Sequence, residues 1–223
     1  MKIGIIVAMD KELKLLLGAV ENKAEASVNG YDFFTGTMAG KEVVAMKCGI
    51  GKVNAAIGAL TMIENFHPQV VINSGVAGGT GGTAGILDIV LASEIAYHDV
   101  WCGPGTEWGE AAGCPRFFPC PIDAGKAAEA LGAKAGLIAS GDIFVSRAED
   151  VERILALYPQ AMAVDMESAA IAQTCWIKAT PMIALRVVSD TPGQADNISQ
   201  YENFWSDAPA HTFEALSRLV AMI

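Results

Sequence analysis

The stretch "KIGIIVA", residues 2–8, decides how the rest of the chain is read. If one of its faces met water, every second residue would be polar, and after Lys2 none is. A continuous apolar run rich in β-branched residues predicts a strand covered on both faces, as in a parallel sheet flanked by helices. Outward from it, "DKELKLLLGAV" (10–20) predicts a helix with Asp10 as a possible N-cap and Leu13, Leu16 and Leu17 on one face. Residues 23–49 carry Asn29-Gly30 and Ala39-Gly40 turns between short runs, the pattern of an antiparallel meander. A helix over 52–66, stopped by His67-Pro68, leads to a second buried strand, "QVVINSG" (69–75). A glycine-rich loop, "GVAGGTGGTAG" (75–85), and a strand over 86–98 follow.

Residues 99–121 hold four Gly, four Pro and two Trp, and read as one long loop. Loops of that length in a compact domain are usually functional or lie against a neighbour. Beyond it the pattern predicts helix 122–131, strand 134–139, helix 147–157, strand 161–164, helix 167–177, strand 181–188 and a C-terminal helix from about 201. This alternation describes a mostly parallel sheet with helices on both faces. Its 223 residues suit one domain, 1–223.

Composition narrows the partners. The chain is 52% hydrophobic and 18% charged, with 15 basic and 25 acidic residues and a net charge of −10. There is no Lys/Arg cluster to neutralise phosphates, so nucleic acid and anionic membrane surfaces are poor partners. No apolar run reaches the ~18 residues of a membrane span. The first nine residues lack a signal-peptide cleavage site. Five cysteines (48, 102, 114, 120, 175) without metal-ligand spacing read as reduced thiols in a cytoplasm. A small molecule and a homo-oligomer are the expected partners.

In such sheets ligands bind beyond the carboxyl ends of the strands. Those ends bring together Met9 with Glu12, the loop from Gly75, Ser140-Gly141-Asp142 with Phe144, Asp165-Met166-Glu167, and Ser189-Asp190. Several of these have a plain structural reading. Glu12 falls in a first helical turn, where a carboxylate gains ~0.3–1 kcal/mol from the helix dipole. Asp165 reads as the N-cap of the following helix, and Asp190 before Thr191-Pro192-Gly193 fits an Asx-turn equally well. His98 reads as a hydrogen-bonded histidine at a strand end. Glu167 beside "AAIA" and Arg186 inside "MIALRVV" are harder to place structurally, because a buried charge needs a partner. The glycine loop has neither a Walker pattern nor the position of a dinucleotide fingerprint, which disfavours dehydrogenases.

Six motifs in order, "MKIGIIVAMDKEL", "CGIGKVNAA", "INSGVAGG", "GLIASGDIF", "AVDMESAAIA" and "LRVVSD", make the sequence resemble the methylthioadenosine/S-adenosylhomocysteine nucleosidases of the nucleoside phosphorylase superfamily. The similarity runs from residue 1 to about 220. It implies a three-layer α/β/α fold around a mixed, twisted sheet, a homodimer, and no metal or organic cofactor. It implies Glu12 as the base that activates water and Asp190 as the acid that protonates adenine at N7. Glu167 matches the carboxylate on the ribose hydroxyls, with Met166 beneath the sugar. Phe144 matches the ring stacked on adenine, and the Val145 backbone meets the base edge. Arg186 and Ser189 match side chains that orient the water and the acid, and Gly78 matches a glycine of the substrate loop. Met9 and Ile50 match part of the apolar 5′-alkylthio pocket. Position 76, often serine in the family, is Val76. The 99–121 loop also departs from the family pattern, and its Trp101, Trp108, Phe117 and Phe118 suggest a dimer interface.

The chemistry asks for this set independently. Breaking an N-glycosidic bond builds positive charge on the ribose, which a carboxylate stabilises. Adenine leaves poorly as an anion, so an acid still protonated near neutral pH is needed, and burial can hold an aspartate in that state. The rivals are a purine nucleoside phosphorylase, a hydrolase of another 5′-modified adenine nucleoside such as aminofutalosine, and a non-catalytic nucleoside-binding module. A phosphorylase would bring arginines to the first strand and the glycine loop, yet the first arginine in the chain is Arg116. A binding module would not need Glu12 and Asp190 together.

Overall fold

Ile3, Ile5 and Val7 face one side of strand β1 (Lys2–Val7) and Ile6 faces the other, and all four are fully buried. The first three share a core cluster with Leu16 of α1 (Asp10–Gly18) and with Leu216, Leu219 and Val220 of α7 (Pro209–Met222). Ile6 instead joins Ala59 and Met62 of α2 (Lys52–Phe66) and Ala169 and Ile171 of α5 (Ser168–Ile177). Gly4 is small because Met62 needs its space: a Cβ there would lie 2.4 Å from the Met62 sulfur. Burying an isoleucine stabilises the fold by about 1.5–3 kcal/mol, so this one strand ties both helical layers to the sheet. The computed structural model describes residues 1–207 and 209–223.

Nine further strands complete the sheet: β2 (Glu21–Val28), β3 (Tyr31–Met38), β4 (Lys41–Lys47), β5 (Val70–Gly79), β6 (Ile89–Tyr97), β7 (Phe118–Pro119), β8 (Lys134–Ser140), β9 (Ala161–Asp165) and β10 (Met182–Asp190). Their order is β10-β6-β8-β9-β5-β1-β4-β3-β2, with β7 on β6. β5 also pairs with β10 along Val71–Gly78, while its end, Gly78 and Gly79, pairs with β9. Five strands therefore close into a ring, and β5 is the seam between ring and open sheet. Helices α2 and α5 cover one face; α1, α3 (Ala124–Leu131) and α7 cover the other. Helix α4 (Ala148–Leu157) packs Ile154 against Leu137 and Ala139 of β8.

This is the mixed α/β architecture the family resemblance implies. The mostly parallel sheet inferred from strand–helix alternation is corrected. Five pairings are parallel and five antiparallel among the described residues, because the meander and the ring closure each reverse direction. Residues 75–79, read as loop, extend β5, since Gly75 to Gly78 pair with β10 and Gly78 and Gly79 pair with β9. The C-terminal helix expected from about 201 is two helices, α6 (Asn197–Asp207) and α7.

Two further readings are revised. Phe117 and Phe118 turn inward: Phe117 meets Tyr158 edge-on at 5.8 Å, and Phe118 lies in β7 against Tyr97. Only Trp101 and Trp108 of that loop's aromatics keep large exposed areas, 53% and 39%, stacked on one another at 6.1 Å. His98 is fully buried, and neither ring nitrogen has a hydrogen-bond partner among the described residues. Burial pushes its pKa down, which favours the neutral ring, and no described side chain supplies the hydrogen bond read from sequence.

Candidate active site

Helix α1 begins immediately after β1, which places Glu12 in its first turn, facing back over the strand end. The Glu12 carboxylate is buried and held by three backbone donors. Its Oε2 accepts the N–H groups of Ala8 and Met9, both at 2.9 Å, and its Oε1 accepts that of Val76 at 3.1 Å. The expected departure at position 76 is thus met by the main chain, while the Val76 side chain packs towards Val187 and Phe204. Gly75 permits this approach: a Cβ there would sit 2.4 Å from Glu12 Oε1. Burial raises the pKa of Glu12, against the opposing pull of Arg186 and the three N–H groups.

Arg186 lies on β10 with no face open to water. Its guanidinium donates to Asp165 (2.9 and 2.5 Å), to Ser168 Oγ at 3.0 Å and to Asn73 Oδ1. Burial works against its charge, but Asp165, Glu167 and Glu12 outweigh it and hold the guanidinium above its ordinary range. This revises the reading of Asp165 as a helix cap. Asp165 does accept the Ser168 N–H at 3.2 Å, but Glu167 occupies the N-cap position, and the main partner of Asp165 is Arg186.

Glu167, next along, turns to the cleft and accepts the Gly51 N–H at 2.9 Å. Burial, then the neighbouring Asp165, push its pKa up to about 7. Asp190 ends β10. Its Oδ1 accepts from Ser189 Oγ at 2.6 Å and its Oδ2 from Asn197 Nδ2. Burial raises its pKa as well, against these two hydrogen bonds.

These side chains share one cleft, partly open to solvent. All eleven residues singled out from the sequence line it: Met9, Glu12, Ile50, Gly78, Phe144, Val145, Met166, Glu167, Arg186, Ser189 and Asp190. Gly78 is needed there, because a Cβ would meet Pro192 at 2.6 Å. Phe144 stands half-exposed at the mouth, edge-on to Tyr201 at 5.6 Å, and the Tyr201 hydroxyl donates to Met9 Sδ at 3.3 Å. Sequence reasoning missed Tyr201, Asn197 and Asn73. Asn197 could have been found as a cap-type residue opening a helix. Nothing local marked Asn73 as the acceptor for a distant guanidinium. No cluster of three His, Cys, Asp or Glu able to hold a metal occurs among the described residues, and no helix is long and apolar enough to cross a membrane.

Such a site combines carboxylates of raised pKa, an aromatic wall and a fully compensated guanidinium, a set suited to proton transfer around a bound heterocycle. Comparison with known proteins agrees. Residues 2–221 match the Phosphorylase superfamily. The chain is 38% identical to a 5′-methylthioadenosine/S-adenosylhomocysteine nucleosidase of Lysinibacillus sphaericus, over the full length of both. It superposes on the S-adenosylhomocysteine nucleosidase of Streptococcus pyogenes in complex with 5-methylthiotubericidin with a TM-score of 0.94, at 32% identity, covering 100% of this chain and 97% of that one. The futalosine hydrolase of Helicobacter pylori is also similar, with a TM-score of 0.91 at 28% identity, covering 100% and 98%. Full-length likeness in sequence and fold, together with the carboxylate-lined cleft, shows that this chain belongs to the methylthioadenosine/S-adenosylhomocysteine nucleosidase family of N-glycosidases, within the phosphorylase superfamily.

Proposed function

We propose that the protein hydrolyses the N-glycosidic bond of 5′-methylthioadenosine, S-adenosylhomocysteine or both, releasing adenine. The observation that carries this reading is the presence of Glu12, Glu167 and Asp190 in one cleft whose single guanidinium is paired with Asp165. Ionised Glu12 takes a proton from water as its oxygen attacks the anomeric carbon, and the carbon–nitrogen bond breaks. Glu167 holds the ribose hydroxyls and offsets the positive charge that develops on the sugar. Met166 lies under the sugar and Phe144 stacks on the base, with the Val145 backbone at its edge. Asp190, whose pKa burial raises against its Ser189 and Asn197 hydrogen bonds, delivers a proton to adenine N7 so that the base leaves neutral. Ser189 steadies that acid. Gly78 lets the loop approach, while Met9 and Ile50 form part of the wall for the 5′-alkylthio group. Arg186 acts through Asp165 and through its field on Glu12.

The cleft favours water over phosphate as nucleophile. Ionised Glu12 and Glu167 would repel an anion, and Nε and Nη2 of Arg186 are taken up by Asp165, Ser168 and Asn73, leaving only Nη1 uncommitted among the described residues. Adenine release from methylthioadenosine at an equal rate in phosphate-containing and phosphate-depleted buffer tests this; strict phosphate dependence with ribose 1-phosphate as product would assign a phosphorylase. A second reading, hydrolysis of aminofutalosine or a related 5′-modified adenine nucleoside, is favoured by the likeness to the futalosine hydrolase and by the open mouth at Ile50 and Phe144. Competition between the two substrates separates them.

A homodimer is part of this proposal. Val53 (68% exposed), Ile57 and Leu60 form a stripe on α2, and Trp176 and Ile177 end the neighbouring α5. A two-fold axis would cover both copies of this apolar face at once. Five free cysteines fit a reducing, cytoplasmic setting.

A further inference from the structure

We propose that Asn197 is a positioning residue for the acid Asp190, fixing its carboxyl plane for proton delivery and steadying the carboxylate that delivery leaves behind. The inference rests on the reading of Asp190 as the acid. Asn197 opens α6, seven residues after Asp190, and is buried with it. Its Nδ2 donates to Asp190 Oδ2, while Ser189 holds Oδ1 from the strand side. Each carboxyl oxygen is therefore tied by one neutral donor from a different element, and rotation of the carboxyl would break both bonds. The remaining lone pairs are left for the ligand.

Proton transfer needs the two heavy atoms within roughly 2.6–3.2 Å and well aligned, which a freely turning carboxyl meets only part of the time. The donor also has to be neutral. A lysine or arginine in its place would lock Asp190 in its ionised form and empty it of the proton it must give. An amide stabilises the carboxylate enough to help the transfer without forbidding reprotonation. The titratable groups facing Asp190 are Tyr201 from the same helix and, across the cleft, Glu12 and Glu167; Arg186 on its own strand is engaged by Asp165. None of these supplies a second donor to Oδ2.

The test compares two leaving groups. Adenine departure needs a proton, whereas the p-nitrophenolate of a p-nitrophenyl 5-methylthioriboside does not. Asn197→Ala should slow adenine release by about 10- to 100-fold in kcat with KM little changed, and leave p-nitrophenolate release at the wild-type rate. The high-pH limb of its kcat/KM profile for adenine release should move to higher pH, because the lost N–H favoured the ionised form. Asn197→Asp, nearly the same shape but carrying a like charge, should show the same pattern and serves where the alanine variant folds poorly. Adenine release by both variants at the wild-type rate and with the wild-type profile would overturn the inference alone, as would equal slowing of both leaving groups. Wild-type protein that releases no adenine, or an Asp190→Asn variant that releases it at full speed, would instead overturn the reading of the site.

Discussion

Arg186 and Asp165 form an ion pair withdrawn from water, with their side chains 2% and 1% exposed and nitrogen and oxygen 2.5 Å apart. Two charges so placed are stable only together. Asp165→Ala leaves a guanidinium without its counter-ion and should cost about 3–5 kcal/mol of folding stability, read from urea unfolding. A loss below 1 kcal/mol would mean that Asn73 and Ser168 suffice for Arg186.

Glu12→Gln and Asp190→Asn should each lower kcat for adenine release by about 10²–10⁴-fold while far-UV circular dichroism stays unchanged. Near-normal turnover in either variant would return that residue to the helix-start or turn role open to it from sequence.

Gly75→Ala tests the proposed base, Glu12, without touching its charge. The added Cβ meets Glu12 Oε1 at 2.4 Å, so the carboxylate has to leave the Val76 N–H. The expected outcome is a large fall in kcat for a single methyl group; an unimpaired variant would show that Glu12 can act from another position.

Glu167 links activity and stability to pH in opposite senses. Its folded pKa, about 7, lies above the ordinary 4.5, so folding favours its protonated form. Its burial therefore carries no ionisation penalty below the unfolded value, and the penalty grows as pH rises through about 7. In the proposed mechanism Glu167 acts in its ionised form, so kcat/KM should fall as pH drops through about 7 while this group's contribution to stability improves. Glu167→Gln should flatten the stability change across that window and remove its share of the acidic limb of the rate profile. A variant with an unaltered stability slope would place the ionisation elsewhere.

The apolar stripe on α2 predicts that Val53→Glu or Ile57→Glu shifts sedimentation towards a monomer. Wild-type protein that sediments as a fully active monomer would remove the dimer from the proposal.

The sequence made much of this site legible because its residues sit where strands end, and strand ends are written in apolar runs. "KIGIIVA" located the first strand end and hence Met9 and Glu12; "LRVVSD" did so for Ser189 and Asp190. Ring closure was hidden, since pairing of Gly78 and Gly79 with β9 uses backbone groups and leaves no side-chain signature. The Arg186 network was equally hidden: Asn73 and Arg186 lie 113 residues apart and meet only through neighbouring strands. Asp165 misled for a physical reason, because a carboxylate before a helix satisfies a cap rule whatever its main partner. The aromatic loop misled in part because composition counts rings but does not say which way they turn.

The compensated guanidinium has a cellular consequence. Arg186 is the one cationic side chain lining the cleft among the described residues, and Asp165 already neutralises it. A nucleotide would bring its 5′-phosphate towards Met9 and Ile50, among carboxylates, with no cation in the lining beyond the paired Arg186. Adenine nucleotides share base and ribose with the proposed substrates. Charge would thus screen the nucleotide pool away before shape is consulted. AMP at millimolar concentration is expected neither to be cleaved nor to slow cleavage of methylthioadenosine, and competitive inhibition by AMP would show that a phosphate overcomes this charge screen.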